Sequence, residues 1–186
     1  MLENKQQYLL LRYSTAKEKD CIQKHIDVID KHTYCWFGKT GNVPSDRILH
    51  AVYSESNPCI VLHKSGTSFI CNTSEYSIIT PLQGVPLYYE EQSIKPSIYF
   101  KLLSIEKCDE KLLHDSIVCS TGTFVDDAIN HSRIPFMLCR YEDEKQHIPL
   151  SNDDCRYRKD GYCTFHSCVN YSCYCYTPSS CKSQRK

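Results

Sequence analysis

The sequence predicts an α+β fold, a small mixed β-barrel with short helices, followed by a separate cysteine-rich module. Three observations carry this. Five or six strand-like segments are interrupted by short helical ones, without the strict strand–helix alternation that a parallel sheet requires. Six of the thirteen cysteines (Cys155, Cys163, Cys168, Cys173, Cys175, Cys181) fall in the last 32 of 186 residues. The charge divides at the same place: residues 155–186 hold six Lys/Arg against one Asp, and residues 1–154 hold sixteen Lys/Arg against twenty-one Asp/Glu. A neutral total therefore conceals an acidic body and a basic tail. The expected organisation is a pocket domain over 1–141, a charged linker over 142–154 and a module over 155–186.

Each element has a local reason. Tyr8–Tyr13 is an apolar run read as the first strand, after which Ser14 and Thr15 with Glu18 form a capping-box pattern for a helix carrying Ile22, Ile26 and Ile29 at core spacing. His25 and His32 near that stripe are read as ordinary half-buried histidines. The aromatic stretch after it places Tyr34 and Trp36 on one face and Cys35 and Phe37 on the other, and ends at Gly38 and Lys39. A turn at Asn42–Pro44 leads to a short helix from about Asp46 to Val52, capped by Ser45. Cys59–Lys64 and Thr67–Cys71, joined by Ser65-Gly66, form a hairpin that Tyr76–Thr80 extends. Residues 81–97 contain Pro81, Gly84, Pro86 and Pro96 and are read as a long excursion bordering a site. Ser97–Ile105 is a strand, Thr121-Gly122-Thr123 starts a helix through Phe124, Ala128 and Ile129, and Phe136–Tyr141 is the closing strand. The seven cysteines of the body are read as small buried hydrophobes.

"TYCWFGKTG", residues 33–41, contains a Gly-Lys-Thr triplet that suggests a phosphate loop. That loop needs a glycine five positions before the Gly-Lys pair, and Thr33 stands there, followed by bulky, strand-favouring residues. The stretch is an aromatic strand instead. An extruded base needs aromatic faces in place of its stack and a few hydrogen bonds at its edge. Trp36 and Tyr34 supply such a face, Lys39 a phosphate contact, and Ser14 or Thr121 the edge bonds.

From Tyr8 to about Tyr141 the chain resembles the EVE branch of the PUA-like superfamily. The likeness is carried by "YCWFGKTG", and by "SIYFKLLSIEKCD" followed by "FVDDAINHSRIPFMLCRY", which together match the aromatic-Lys strand, helix and last strand that close the barrel in that family. The resemblance implies a reader that holds a flipped base, often a modified one, of DNA or RNA in a pocket beside the barrel. By the same resemblance Trp36, Gly38, Lys39 and Phe100 lie at or near that pocket, and Cys35 departs from the family's pattern.

In the tail, seven residues separate Cys155 from Cys163 and four separate Cys163 from Cys168, a spacing close to the first three ligands of a CCCH finger. Ser172 stands where its histidine would be. The expected zinc ligands are Cys155 and Cys163 with two of Cys168, Cys175 and Cys181, a closed thiolate set of structural type. The start of the chain lacks a secretory pattern and no stretch is long enough to cross a membrane, so the expectation is a reducing cytoplasm, where clustered thiols favour metal over disulfide. No Gly-x-Ser-x-Gly, His-Glu-x-x-His or zinc-deaminase pattern occurs. The leading function is thus a non-enzymatic nucleic-acid reader. The alternatives are an enzyme or enzyme subunit acting on nucleotides or nucleic acid, and a zinc-dependent protein-interaction adaptor.

Overall fold

The computed structural model describes residues 2–16, 18–109, 111–131 and 133–142, together with the backbone of three two-residue strands farther along. The chain divides into two units, Met1–Glu142 and Asp143–Lys186.

The first unit is a mixed α+β fold. In chain order it contains β1 (Gln7–Arg12), α1 (Cys21–His32), β2 (Cys35–Lys39), α2 (Asp46–Tyr53), β3 (Cys59–Lys64) and β4 (Thr67–Ser77). It continues with a single 3-10 turn (Leu87–Tyr89), β5 (Ile98–Leu102), β6 (Glu106–Lys107), α3 (Lys111–His114), β7 (Ser116–Val118), α4 (Val125–His131) and β8 (Phe136–Tyr141). The eight strands form one sheet in the order β2-β5-β4-β3-β1-β8-β7, with β6 pairing β4. The pairing of β1 with β3 is parallel and the other pairings are antiparallel. The path runs open from β2 to β7 among the described residues.

Strand β1 lies at the centre because it is apolar on both faces. Leu9 and Leu11 join one core with Ile60, Leu62, Phe37 and Phe100, covered by α1 and α2. Tyr8 and Leu10 join the other with Val61, Met137 and Cys139, covered by α3 and α4. A strand buried on both sides reads as a continuous hydrophobic run, as "YLLL" does. Strand β4 is the corner: its first half pairs with β3, its second half with β5, and a register shift between Thr73 and Glu75 marks the bend.

Helix α1 departs from the capping-box expectation. It starts at Cys21 with Asp20 before it and no side-chain cap, while Ser14 Oγ accepts from the Ala16 amide at 3.1 Å and Glu18 Oε1 from the Asp20 amide at 3.1 Å. These local turns compete with helix and hold residues 14–16 and 18–20 outside it. The buried stripe of α1 is consequently centred on Cys21 and His25, with Ile22 and Ile29 at its flanks. His25 is fully buried, not half-buried.

Five body cysteines (Cys21, Cys35, Cys59, Cys71, Cys139) are buried, Cys108 is partly buried and Cys119 is exposed. Burial pushes the Cys35 and Cys59 thiols up to about 12, so both remain protonated at neutral pH. Cys119 departs from the expectation because it lies at the turn after β7 rather than on an inward strand position.

In the second unit the described strands β9 (Arg158–Lys159), β10 (Tyr162–Cys163) and β11 (Cys168–Val169) pair antiparallel, with Cys163 opposite Cys168. Apart from that backbone pairing, the zinc reading of Cys155, Cys163, Cys168, Cys175 and Cys181 lies outside the described residues. Among the described residues no three Cys, His, Asp or Glu groups converge as a metal donor set, and no helix is long and apolar enough to cross a membrane.

Candidate functional site

Strand β2 has two differently used faces. Cys35 and Phe37 enter the core with Leu9 and Leu49. Trp36 and Gly38 alternate with them and meet the excursion between β4 and β5. The Trp36 amide donates to the Gly84 carbonyl at 2.7 Å. Gly84 has φ +73°, and a Cβ there would lie 2.5 Å from Tyr34 Cε2, so the loop can approach only as glycine. At Gly38 a Cβ would stand 2.4 Å from Pro96 Cγ and 3.1 Å from Tyr89 Cε1. The missing side chain lets the Tyr89 hydroxyl reach the strand, where it accepts from the Gly38 amide at 2.9 Å and lies 3.2 Å from the Gly38 carbonyl.

Tyr89 is held from the other side by His25. The His25 Nδ1 is 2.6 Å from the Cys21 carbonyl. A carbonyl only accepts, so Nδ1 carries the proton and Nε2, 3.2 Å from the Tyr89 hydroxyl, is the acceptor. Burial lowers the His25 pKa to about 4 and outweighs the opposing bond to Cys21, so the ring is neutral at physiological pH. The His25 ring centroid lies 5.2 Å from Phe37 and 6.0 Å from Tyr88, and Tyr88 stacks on Tyr89 at 4.4 Å. One buried histidine thus holds an aromatic floor in place.

Above this floor lies a cavity of about 210 Å3. The β1–α1 loop contributes Tyr13, Ser14 and Glu18, β2 contributes Phe37 and Lys39, and the excursion contributes Tyr88, Tyr89 and Gln92. Arg12, at the end of β1, also lines it and donates through Nη2 to the Ile129 carbonyl. Lys39 is only 8% exposed; its Nζ donates to the Thr40 carbonyl at 2.9 Å, and burial lowers its pKa. No carboxylate pairs with it among the described residues.

Of the residues singled out from sequence, Ser14, Gly38 and Lys39 line this cavity; Tyr34, Trp36, Phe100 and Thr121 do not. Phe100 is wholly buried opposite Phe37. Trp36 is 9% exposed, and with Tyr34 it packs beneath Lys101, whose Nζ lies 4.5 Å from the Tyr34 ring and 5.9 Å from that of Trp36 while pairing with Glu75 at 2.8 Å. Thr121 is exposed, its hydroxyl 2.7 Å from that of Thr123. Sequence reasoning missed His25, Phe37, Tyr88 and Tyr89 as site residues. The adjacent tyrosines inside a proline-marked excursion were the available signal.

No protein-family model, curated protein or solved structure matches this chain. The cavity must be interpreted from its own chemistry.

Proposed function

We propose that the first unit is a non-enzymatic nucleic-acid reader of the PUA-like, EVE type, which takes one extruded base into the cavity between β2 and the excursion. The observation carrying this reading is a cavity of about 210 Å3 that combines the rings of Phe37, Tyr88 and Tyr89 with the buried ammonium of Lys39. That volume is below the roughly 300–1,000 Å3 of pockets for drug-sized ligands, and it suits a single flat ring system. Aromatic walls replace the stacking that an extruded base loses, and the Ser14 hydroxyl and Gln92 amide offer edge bonds. Trp36 and Tyr34, on the opposite face, support the excursion in this account.

The titratable groups favour binding over chemistry. Burial raises the Cys21 thiol, which lines the cavity, and so disfavours its nucleophilic thiolate. His25, with its pKa near 4, is tied to Cys21 and Tyr89 behind the floor, away from the near-neutral range that suits a general base. Residues 155–186, with net charge +5 from six cations and one Asp, would hold the phosphate backbone, folded around zinc by Cys155, Cys163 and two of Cys168, Cys175 and Cys181.

Fluorescence anisotropy with single-stranded DNA and RNA tests this. Tyr88→Ala should weaken binding by about 1–3 kcal/mol, the worth of one stacked base, and Thr121→Ala, an exposed position that does not line the cavity, should leave it nearly unchanged. A second reading, a protein-interaction adaptor, is favoured by Ile78, Ile79, Leu82 and Leu87, which are 73–101% exposed on the excursion. Binding that is lost in Tyr88→Ala and kept in Leu82→Ser supports the reader; no binding of either nucleic acid contradicts it.

A further inference from the structure

We infer that the base taken by this cavity is a 6-oxopurine, guanine in an unmodified strand, read at its O6 and N7 by the Lys39 ammonium. The inference rests on the reader function proposed above and concerns which base that site selects.

The argument begins with burial. A lysine that holds a backbone phosphate sits at a wet rim, whereas Lys39 is 8% exposed on the wall formed by Phe37 and Gly38. A polymer's phosphate would have to shed its water to reach it, at a cost well above that of desolvating a neutral base edge. Lys39 has three N–H donors and spends one on the Thr40 carbonyl at 2.9 Å, which leaves two for a ligand. The backbone beside the ammonium is already engaged: the Thr40 carbonyl is taken by Lys39 itself, and the Lys39 carbonyl accepts from the Ser97 amide at 2.8 Å. This wall therefore presents donors to whatever enters.

The bases differ at that point. Guanine presents two adjacent acceptors, O6 and N7, and lysine or arginine on that pair is the commonest specific base contact. Adenine puts an amino donor beside N7, uracil or thymine separates its two carbonyl oxygens by the N3–H group, and cytosine sets its adjacent N3 and O2 acceptors beside a single amino group, where guanine opposes O6 and N7 with two N–H-bearing nitrogens. An ammonium opposite an amino group leaves both unpaired, which is costly at a lysine only 8% exposed. Glu18 completes the match. It lines the same cavity and keeps acceptor capacity beyond the Asp20 amide it already receives at 3.1 Å, which suits the N–H groups on guanine's opposite edge. A donor on one wall and an acceptor on another suit a base that carries both an acceptor edge and a donor edge.

The experiment uses the full-length protein and short single strands identical except for one central base, which is guanine, adenine, cytosine or uracil, with 7-deazaguanine as the analogue. Anisotropy should show guanine binding about tenfold or more tighter than adenine, the low end of one good bidentate contact. 7-Deazaguanine, which lacks only the N7 acceptor, should lose much of that advantage, and Lys39→Met should shrink the guanine–adenine gap to the part that Glu18 supplies. The four-base comparison on the unaltered protein stands even where the variant does not fold. Equal affinities, or a preference for adenine, with binding still reduced by Tyr88→Ala, would overturn the guanine assignment and leave the reader intact. Failure of the unaltered protein to bind any of the strands would bring down both.

Discussion

Gly38→Ala tests the joint between strand β2 and the excursion. The added methyl would sit 2.4 Å from Pro96 Cγ and 2.8 Å from Pro96 Cβ, whereas carbon atoms pack at roughly 3.5–4.0 Å. Pro96 is a ring fixed to its own backbone and cannot rotate aside, so the loop has to retreat by about 1 Å to restore ordinary contact. The same retreat stretches the 2.9 Å bond from the Gly38 amide to the Tyr89 hydroxyl beyond hydrogen-bonding range. Overpacking of this kind costs about 1–3 kcal/mol, and the lost bond adds about 0.5–1.5 kcal/mol. The total is about 1.5–4.5 kcal/mol, or a fall in Tm of about 4–14 °C for a unit of this size. Urea and thermal unfolding followed by far-UV circular dichroism measure the loss, and base binding should fall with it because Tyr88 and Tyr89 move together. A Tm within about 2 °C of the unaltered protein, less than about 1 kcal/mol of destabilisation allows, would refute the reasoning.

Three more outcomes follow. The His25 pKa is near 4 when folded and near 6.5 when unfolded, so the unfolded chain binds the extra proton first. The resulting stability is full above about pH 6.5 and is lost towards pH 4, by roughly 3 kcal/mol, and His25→Gln should flatten the urea midpoint over that window. Trp36→Ala should cost about 3–5 kcal/mol of stability, since the ring is 9% exposed under the excursion; an unfolding midpoint equal to the original would show that Trp36 is not core. Full-length protein should carry about one zinc by atomic absorption, Cys155→Ser should lose it with residues 2–142 still folded, and nucleic-acid affinity should become less steeply salt-dependent without residues 155–186.

The legible parts of the sequence were those where a local rule and the tertiary demand agree. Phe136–Tyr141 and the Cys59–Lys64 hairpin arm keep the bounds read from pattern alone, because alternation, burial and the Ser65-Gly66 turn select the same register. Short elements escaped: α3 is four residues and β6 two, too brief for periodicity to register. The start of α1 was misplaced because Ser14 and Glu18 make their hydrogen bonds within the loop. At the site, sequence marked the right strand and the wrong face. Trp36 draws attention as the one tryptophan, yet its alternation places it with Gly38 under the excursion, while Phe37 and Lys39 reach the cavity. His25 was unreadable for a related reason: a histidine at a core position of a helix looks the same whether it fills space or, as here, locks a tyrosine 64 residues away in sequence.

The central claim is that a base enters on the Phe37, Lys39 and Tyr88 side of β2. A two-dimensional NMR titration of the isotopically labelled protein with a guanine-containing single strand tests it most directly, because the sole tryptophan indole reports the other side. The account predicts that the Lys39 and Thr40 amides and the Gln92 side-chain amide shift on binding, with the Trp36 indole signal unmoved. Shifts gathered at the Trp36 indole and at Lys101, with Lys39 and Gln92 silent, would place the ligand on the opposite face and contradict it.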